Sequence, residues 1–111
     1  MELQVRKQGD VTILEASGDV DGSTAPALQE QVLAVVGSGC KLLMDMSNVG
    51  FMSSAGLRVM LLLHRQVSSG NGQVVLVGLS DEIRDTMTAT GFLKYFTTTN
   101  TVEAGLAALK Q

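Results

Sequence analysis

The sequence predicts a small α/β sandwich: a mixed sheet of four to five strands, mostly parallel with one antiparallel edge, packed against about four helices. Apolar segments of strand and helix type alternate along the chain in the order ββαβαβαβα. Successive strand–helix–strand crossovers require parallel neighbours and right-handed connections, whereas two strands joined by a tight turn must be antiparallel. The length of 111 residues, 45% of them hydrophobic, allows one core without disulfide or metal and leaves no room for a second. Residues 1–111 are therefore read as one domain.

Each element has its own warrant. Leu3, Val5 and the stem of Lys7 alternate with Glu2, Gln4 and Arg6, the period of a half-exposed strand. Gly9-Asp10 is a hairpin-type turn, and residues 11–16 form a second, more interior strand. Residues 18–22 are a loop leading to Ser23 and Thr24, either of which can cap a helix. Pro26 falls in that helix's first turn, where a missing N–H costs nothing. Leu28, Val32, Val35 and Val36 make its apolar stripe, and Gly37 and Gly39 stop it.

A strand over residues 42–46 follows, then a small-residue turn at 47–50 and a helix from about Ser54 to Ser69. Apolar residues nearly encircle the middle of that helix, so it is expected to be the most buried. Gly70-Asn71-Gly72 ends it, and residues 74–77 read as an interior strand. Ser80 caps a third helix with Asp81 and Glu82 in its first turn, Ile83 and Met87 facing inward and Gly91 at its end. Phe92, Leu93, Tyr95 and Phe96 are expected to form a short aromatic strand, with residues 97–99 as a polar loop. Asn100 and Glu103 approximate a capping box for a last helix that buries Val102, Leu106 and Leu109.

Composition excludes several functions. Aromatics are 4% of the chain, too few for a base-stacking platform, and a net charge of −3 argues against nucleic acid or an anionic membrane as partner. One Cys and one His give soft metal ligation nothing to build on, and no cofactor motif is present. A lone Cys40 and an N-terminus without an apolar h-region fit a reducing, cytoplasmic setting. The longest apolar run, residues 59–63, is far too short for membrane insertion.

Residues 41–57, KLLMDMSNVGFMSSAGL, concentrate the polar side chains that could carry chemistry. Ser53 and Ser54 sit where the second helix must begin, beside unpaired N–H groups and a positive dipole end. One serine can serve as a plain N-cap. Neither has Glu or Gln three residues on, so no capping box explains both. A modified or anion-accepting hydroxyl also fits this place beyond a parallel strand. A nucleophilic serine does not: the G-x-S-x-G elbow is missing, and His64, ten residues along the helix, stands about 15 Å from Ser54. Asp45, within an apolar strand, is either a carboxylate reaching the strand's exposed C-terminal end or a buried group bonding N–H groups of the following loop, the second being favoured because a buried acid must find donors. Asp19 and Asp21 have a reading as turn residues, and Gly56 marks a close approach to something packed against the helix. Met44, Met46, Met52 and Met60 read as core gap-fillers.

Asp45-Met46-Ser47, Val49, Phe51-Met52, Ser54 and Gly56-Leu57 together resemble the STAS domain signature of the bacterial anti-sigma factor antagonists. Gly18-Asp19-Val20-Asp21, the strand at 74–78 and Gly91-Phe92-Leu93 extend the resemblance over essentially the whole chain. It implies a partner switch without enzymatic activity. The partner would be an anti-sigma factor serine kinase of the histidine-kinase-like ATPase type, which phosphorylates the serine matching Ser54; a PP2C-type phosphatase restores it. The resemblance puts Asp21 on the kinase-facing surface, with Ser23, Thr24, Ser53, Ala55 and Gly56 as further contact residues and Asp45 and Ser47 supporting the site. Sporulation members carry Asp where this chain has Ser53, which makes Ser53 a competing acceptor, and a hydroxyl residue often stands where this chain has Ala55. The alternative is a STAS subunit bound constitutively, for example to a transporter, with no kinase involved.

Overall fold

The computed structural model describes residues 1–109. Strands β1 (Glu2–Gln8) and β2 (Val11–Ser17) form an antiparallel hairpin in which Gln8 faces Val11 across the Gly9-Asp10 turn. Strands β3 (Lys41–Asn48), β4 (Gln73–Val77) and β5 (Thr97–Thr99) then add in parallel, so the sheet order β1-β2-β3-β4-β5 repeats the chain order. Helices α1 (Ala25–Val35), α2 (Ser54–Ser69) and α3 (Asp81–Ala89) make the crossovers, and α4 (Val102–Leu109) follows β5. This is the mixed, mostly parallel sheet with an antiparallel edge that the sequence predicts.

The strands bury both faces. Leu14, Leu42, Met44, Met46 and Leu76 face a large cluster completed by α1, α2 and α3, while Ile13, Leu43, Val75 and Val77 face α4. Alternation along β3 accounts for this division, since neighbouring side chains point to opposite faces. Helix α2 buries the most residues, Leu57, Met60 and Leu63 among them. Each such side chain contributes about 1.5–3 kcal/mol when taken fully out of water. The four methionines at 44, 46, 52 and 60 are all buried in this cluster, as gap-fillers should be.

Three expectations need correction. Strand β1 is more exposed than half: Leu3 packs on the core but Val5 is 44% exposed, because β1 is an edge strand with only β2 beside it. The segment from Phe92 to Phe96 is not a strand; Leu93–Tyr95 is a single 3₁₀ turn, and the strand is Thr97–Thr99. The aromatic residues lack period-two alternation, whereas three β-branched threonines suit an edge strand that leaves one face wet. Finally, Asn100 does not cap α4. Thr101 does: its hydroxyl accepts from Ala104 N–H at 3.1 Å and its carbonyl from Gly105 N–H at 3.0 Å.

Candidate functional site at the start of helix α2

Beyond the sheet, the loops after β2 and β3 remain zipped together. The N–H of Val20 donates to Phe51 O and the N–H of Ser53 to Val20 O, both at 2.8 Å, so Val20 and Met52 pair as one more parallel rung. Both side chains are buried beneath the first turn of α2. Gly56 rests on them: a Cβ there would lie 2.6 Å from Met52 Cγ and 2.7 Å from Val20 Cγ1. The close approach expected at Gly56 is therefore real, and it fixes the start of α2 against the loop that carries Asp21.

Asp21 organises that loop. Its Oδ1 accepts from the Ser23 hydroxyl at 2.7 Å and from the N–H groups of Ser23 and Thr24 at 2.9 and 3.1 Å. These bonds, the Ser23 hydroxyl foremost, hold the Asp21 carboxyl below the ordinary carboxylate range. The expectation that Ser23 or Thr24 caps α1 is corrected. Thr24 occupies the N-cap position with no side-chain capping bond, because its hydroxyl donates to Asp19 O at 2.8 Å and accepts from Asp21 N–H at 2.9 Å. The Asp21 carbonyl receives the Ala25 N–H at 2.8 Å. The turn-residue reading of Asp21 is thus met in full.

The two serines differ sharply. Ser53 caps α2 through its backbone, accepting from Leu57 N–H at 3.0 Å, while its hydroxyl is buried and, among the described residues, has no hydrogen-bond partner. Ser54, the first residue of α2, is exposed. Ala55 is half-buried beside it. Phe51, 49% exposed, overhangs a cleft of about 150 Å³ shared with Glu82 and Thr86 of α3. On the other side, a cleft of about 460 Å³ opens between Pro26 and Gln29 of α1 and Ala55 and Arg58 of α2. The sequence reading does not anticipate Phe51 or Arg58 as surface features. The available signals are an aromatic residue in an aromatic-poor chain and a cation four residues after Ser54.

Asp45 and Ser47 stand apart from this group. Asp45 Oδ1 accepts from the Ser47 N–H at 3.1 Å and the Ser47 hydroxyl at 2.7 Å. Alternation from Leu43 directs both toward the α4 face, opposite α2. The reading of Asp45 as a buried acid is corrected: it is half-exposed near the strand's C-terminal end, and the Ser47 N–H it accepts, read as the start of the loop, lies within β3, which runs on to Asn48. Ser47 in turn lies against Gly78, whose φ of +72° and closeness to Ser47, 3.0 Å from an added Cβ to Ser47 Cβ, exclude a side chain.

Among the described residues neither serine hydroxyl is hydrogen-bonded to a base. His64 packs at 5.1 Å from the Tyr95 ring and 5.7 Å from the Phe96 ring, well down α2. Among the described residues no group of three or more His, Cys, Asp or Glu could hold a metal ion, and no helix is long and apolar enough to cross a membrane.

The five-stranded sheet of this order, one antiparallel pair and the rest parallel, with four helices, is the fold of the anti-sigma factor antagonists it superposes on. The family model of that description matches residues 2–105, and the chain belongs to the STAS domain family. Its relatives carry the name of anti-sigma factor antagonists. BtrV of Bordetella bronchiseptica, so named, is 33% identical over 111 residues, spanning 99% of this chain and 96% of its own. The crystal structure of an anti-sigma factor antagonist from Mycobacterium paratuberculosis superposes with a TM-score of 0.89 at 28% identity, covering 99% of this chain and 94% of that one. The Bacillus cell-fate determinant SpoIIAA, solved in its phosphorylated form, shares the fold at a TM-score of 0.73 and 15% identity, over 96% of this chain and 98% of that one.

Proposed function

We propose that this protein is a phosphorylation-controlled binding module, an anti-sigma factor antagonist with no enzymatic activity of its own, and that Ser54 is its acceptor. The observation that carries the reading is the contrast between the serines: the Ser54 side chain is open to a partner, whereas the Ser53 hydroxyl is buried. The partner is a serine kinase of the histidine-kinase-like ATPase type that is also an anti-sigma factor. The Ser54 Oγ attacks the γ-phosphorus of kinase-bound ATP, the bond to ADP breaks, and the hydroxyl proton passes to a base of the kinase. A PP2C-type phosphatase hydrolyses the ester. Asp21, Ser23, Thr24 and Ala55 form the contact surface around the acceptor, in a cytoplasmic setting, while Gly56, expected among the contacts, is buried on Val20 and Met52 and holds the helix start beneath that surface.

Phosphorylation acts at the interface and leaves the fold intact. It adds about −1.5 to −2 charge at pH 7, at a helix end whose dipole favours anions. Pressed against a partner, the same group loses water with no compensating charge from the partner, which costs roughly 2–5 kcal/mol. At 1.4 kcal/mol per tenfold, affinity falls by about one to four orders of magnitude. The test is to incubate the protein with the kinase from its own organism and ATP, map the phosphate by mass spectrometry, and compare melting and affinity of the two forms. One phosphate on Ser54, its loss in Ser54→Ala, and melting no lower than that of the unmodified form with weakened binding are expected. Phosphate on Ser53 would refute the acceptor, collapsed melting would make the fold the switch, and binding with no phosphorylation would favour a constitutive STAS subunit, such as that of a transporter.

A further inference from the structure

Arg58 follows Ser54 by four residues on α2, and both are exposed. Among the described residues Arg58 has no hydrogen bond or ion pair; the two salt bridges join Arg6 to Glu15 and Lys41 to Asp10. The carboxylate of the adjoining loop, Asp21, is already committed to Ser23 and Thr24. The start of α2 therefore carries an unengaged guanidinium.

Helix geometry directs that guanidinium. Residues i and i+4 share a face with Cβ atoms about 5–6 Å apart, and helical side chains lean toward the N-terminus. Arg58 thus leans over the turn that Ser54 begins. The order is also the favourable one, with the anion-to-be N-terminal to the cation. Arg58 lines an open cleft of about 460 Å³ between α1 and α2 together with Ala55, the residue after the exposed Ser54.

We propose that Arg58 is the receptor, within the same chain, of the phosphate carried by Ser54. This rests on Ser54 being the acceptor. The guanidinium fork takes two phosphate oxygens, a geometry that an ammonium cannot reproduce. The unpaired N–H groups of the first turn of α2 face the same dianion. The modified form is then a closed local structure, with phosphate, guanidinium and helix end satisfying one another.

The experiment is a phosphorus NMR titration of the phosphorylated full-length protein beside its Arg58→Gln and Arg58→Lys variants, with melting curves of all forms. A cation paired with the dianion lowers the second phosphate pKa, ordinarily about 6. The charged groups of the elements beside this end of α2 are Asp19 and Asp21 before α1, Glu30 in α1, and Asp81, Glu82, Arg84 and Asp85 in α3. These are common to all three proteins, so the difference isolates Arg58. The phosphate should titrate several tenths of a unit lower in the wild type than in Arg58→Gln, with Arg58→Lys between. The unmodified proteins should melt alike, and phosphorylation should raise the melting temperature more in the wild type. Coincident titrations of phosphate mapped to Ser54 would overturn the role of Arg58 and leave the acceptor standing. Failure to find phosphate on Ser54 would remove the acceptor and this role together.

Discussion

Replacing Gly56 with Ala tests how the site is held. Alanine is the better helix former by up to about 1 kcal/mol, so on an unobstructed helix Gly56→Ala would stabilise the protein. Here the new methyl would stand 2.6 Å from Met52 Cγ, 2.7 Å from Val20 Cγ1 and 3.2 Å from Val20 Cβ. Met52 can swing a flexible chain aside, but Val20 is buried and stiff at χ1. Overpacking of this kind costs about 1–3 kcal/mol. Subtracting the helix gain leaves a net loss of up to about 2 kcal/mol, near 1 as a central value, or roughly a 4 °C drop in melting temperature for a chain of this size. Chemical and thermal denaturation of Gly56→Ala, Val20→Ala and the double variant measure it. In the Val20→Ala background the obstructing methyl is gone, so the Gly56→Ala change should become neutral or stabilising, a coupling of about 1 kcal/mol or more. Stabilisation by the single variant, or simple additivity in the double, would refute the tight seat of α2 on the Val20–Met52 rung.

Two further outcomes follow from the same loops. The Ser53 hydroxyl is buried without a hydrogen-bond partner among the described residues, a situation that costs about 1–3 kcal/mol; Ser53→Ala should therefore hold or raise the unfolding free energy and leave phosphorylation of Ser54 intact, whereas a loss of about 1 kcal/mol would show that the hydroxyl caps α2. The Asp21 carboxyl is held below its unfolded value by the Ser23 hydroxyl and the N–H groups of Ser23 and Thr24. Its contribution to stability is accordingly present in full above the unfolded pKa and disappears as pH falls through the folded one. Denaturation from pH 7 into acid should show Asp21→Asn with a shallower acid loss than the wild type, and superimposable acid limbs would remove the linkage.

The sequence was most readable where a local rule and the tertiary context agreed. Helix α2 begins at Ser54 and ends at Ser69 as its periodicity and the Gly70-Asn71-Gly72 breaker require. Ser80 caps α3 by accepting from Ile83 N–H at 3.2 Å. Reading failed where one residue type could serve two purposes. Thr97, Thr98 and Thr99 look like a loop by polarity and become a strand because β4 offers them an edge. Thr24 looks like a cap and instead spans Asp19 and Asp21. Asp45 lies in the recognised motif, yet which sheet face it takes depends on the register of β3 against two neighbours, a long-range fact. Phe51 shows the same limit: an aromatic between the buried Val49 and Met52 gives no local sign that it points outward.

The coincidence of sheet order with chain order bears on how the protein comes into being. Each strand lies down on the edge left by the one before it, so no strand is inserted between earlier partners. A chain emerging from the ribosome N-terminus first can add one strand–helix unit at a time onto an existing edge. The loops bearing Asp21 and Ser54 follow β2 and β3, and they can join through Val20 and Met52 before β5 and α4 have been synthesised. For a largely parallel sheet the loop-closure entropy is thus met in short instalments, the arrangement that favours rapid folding.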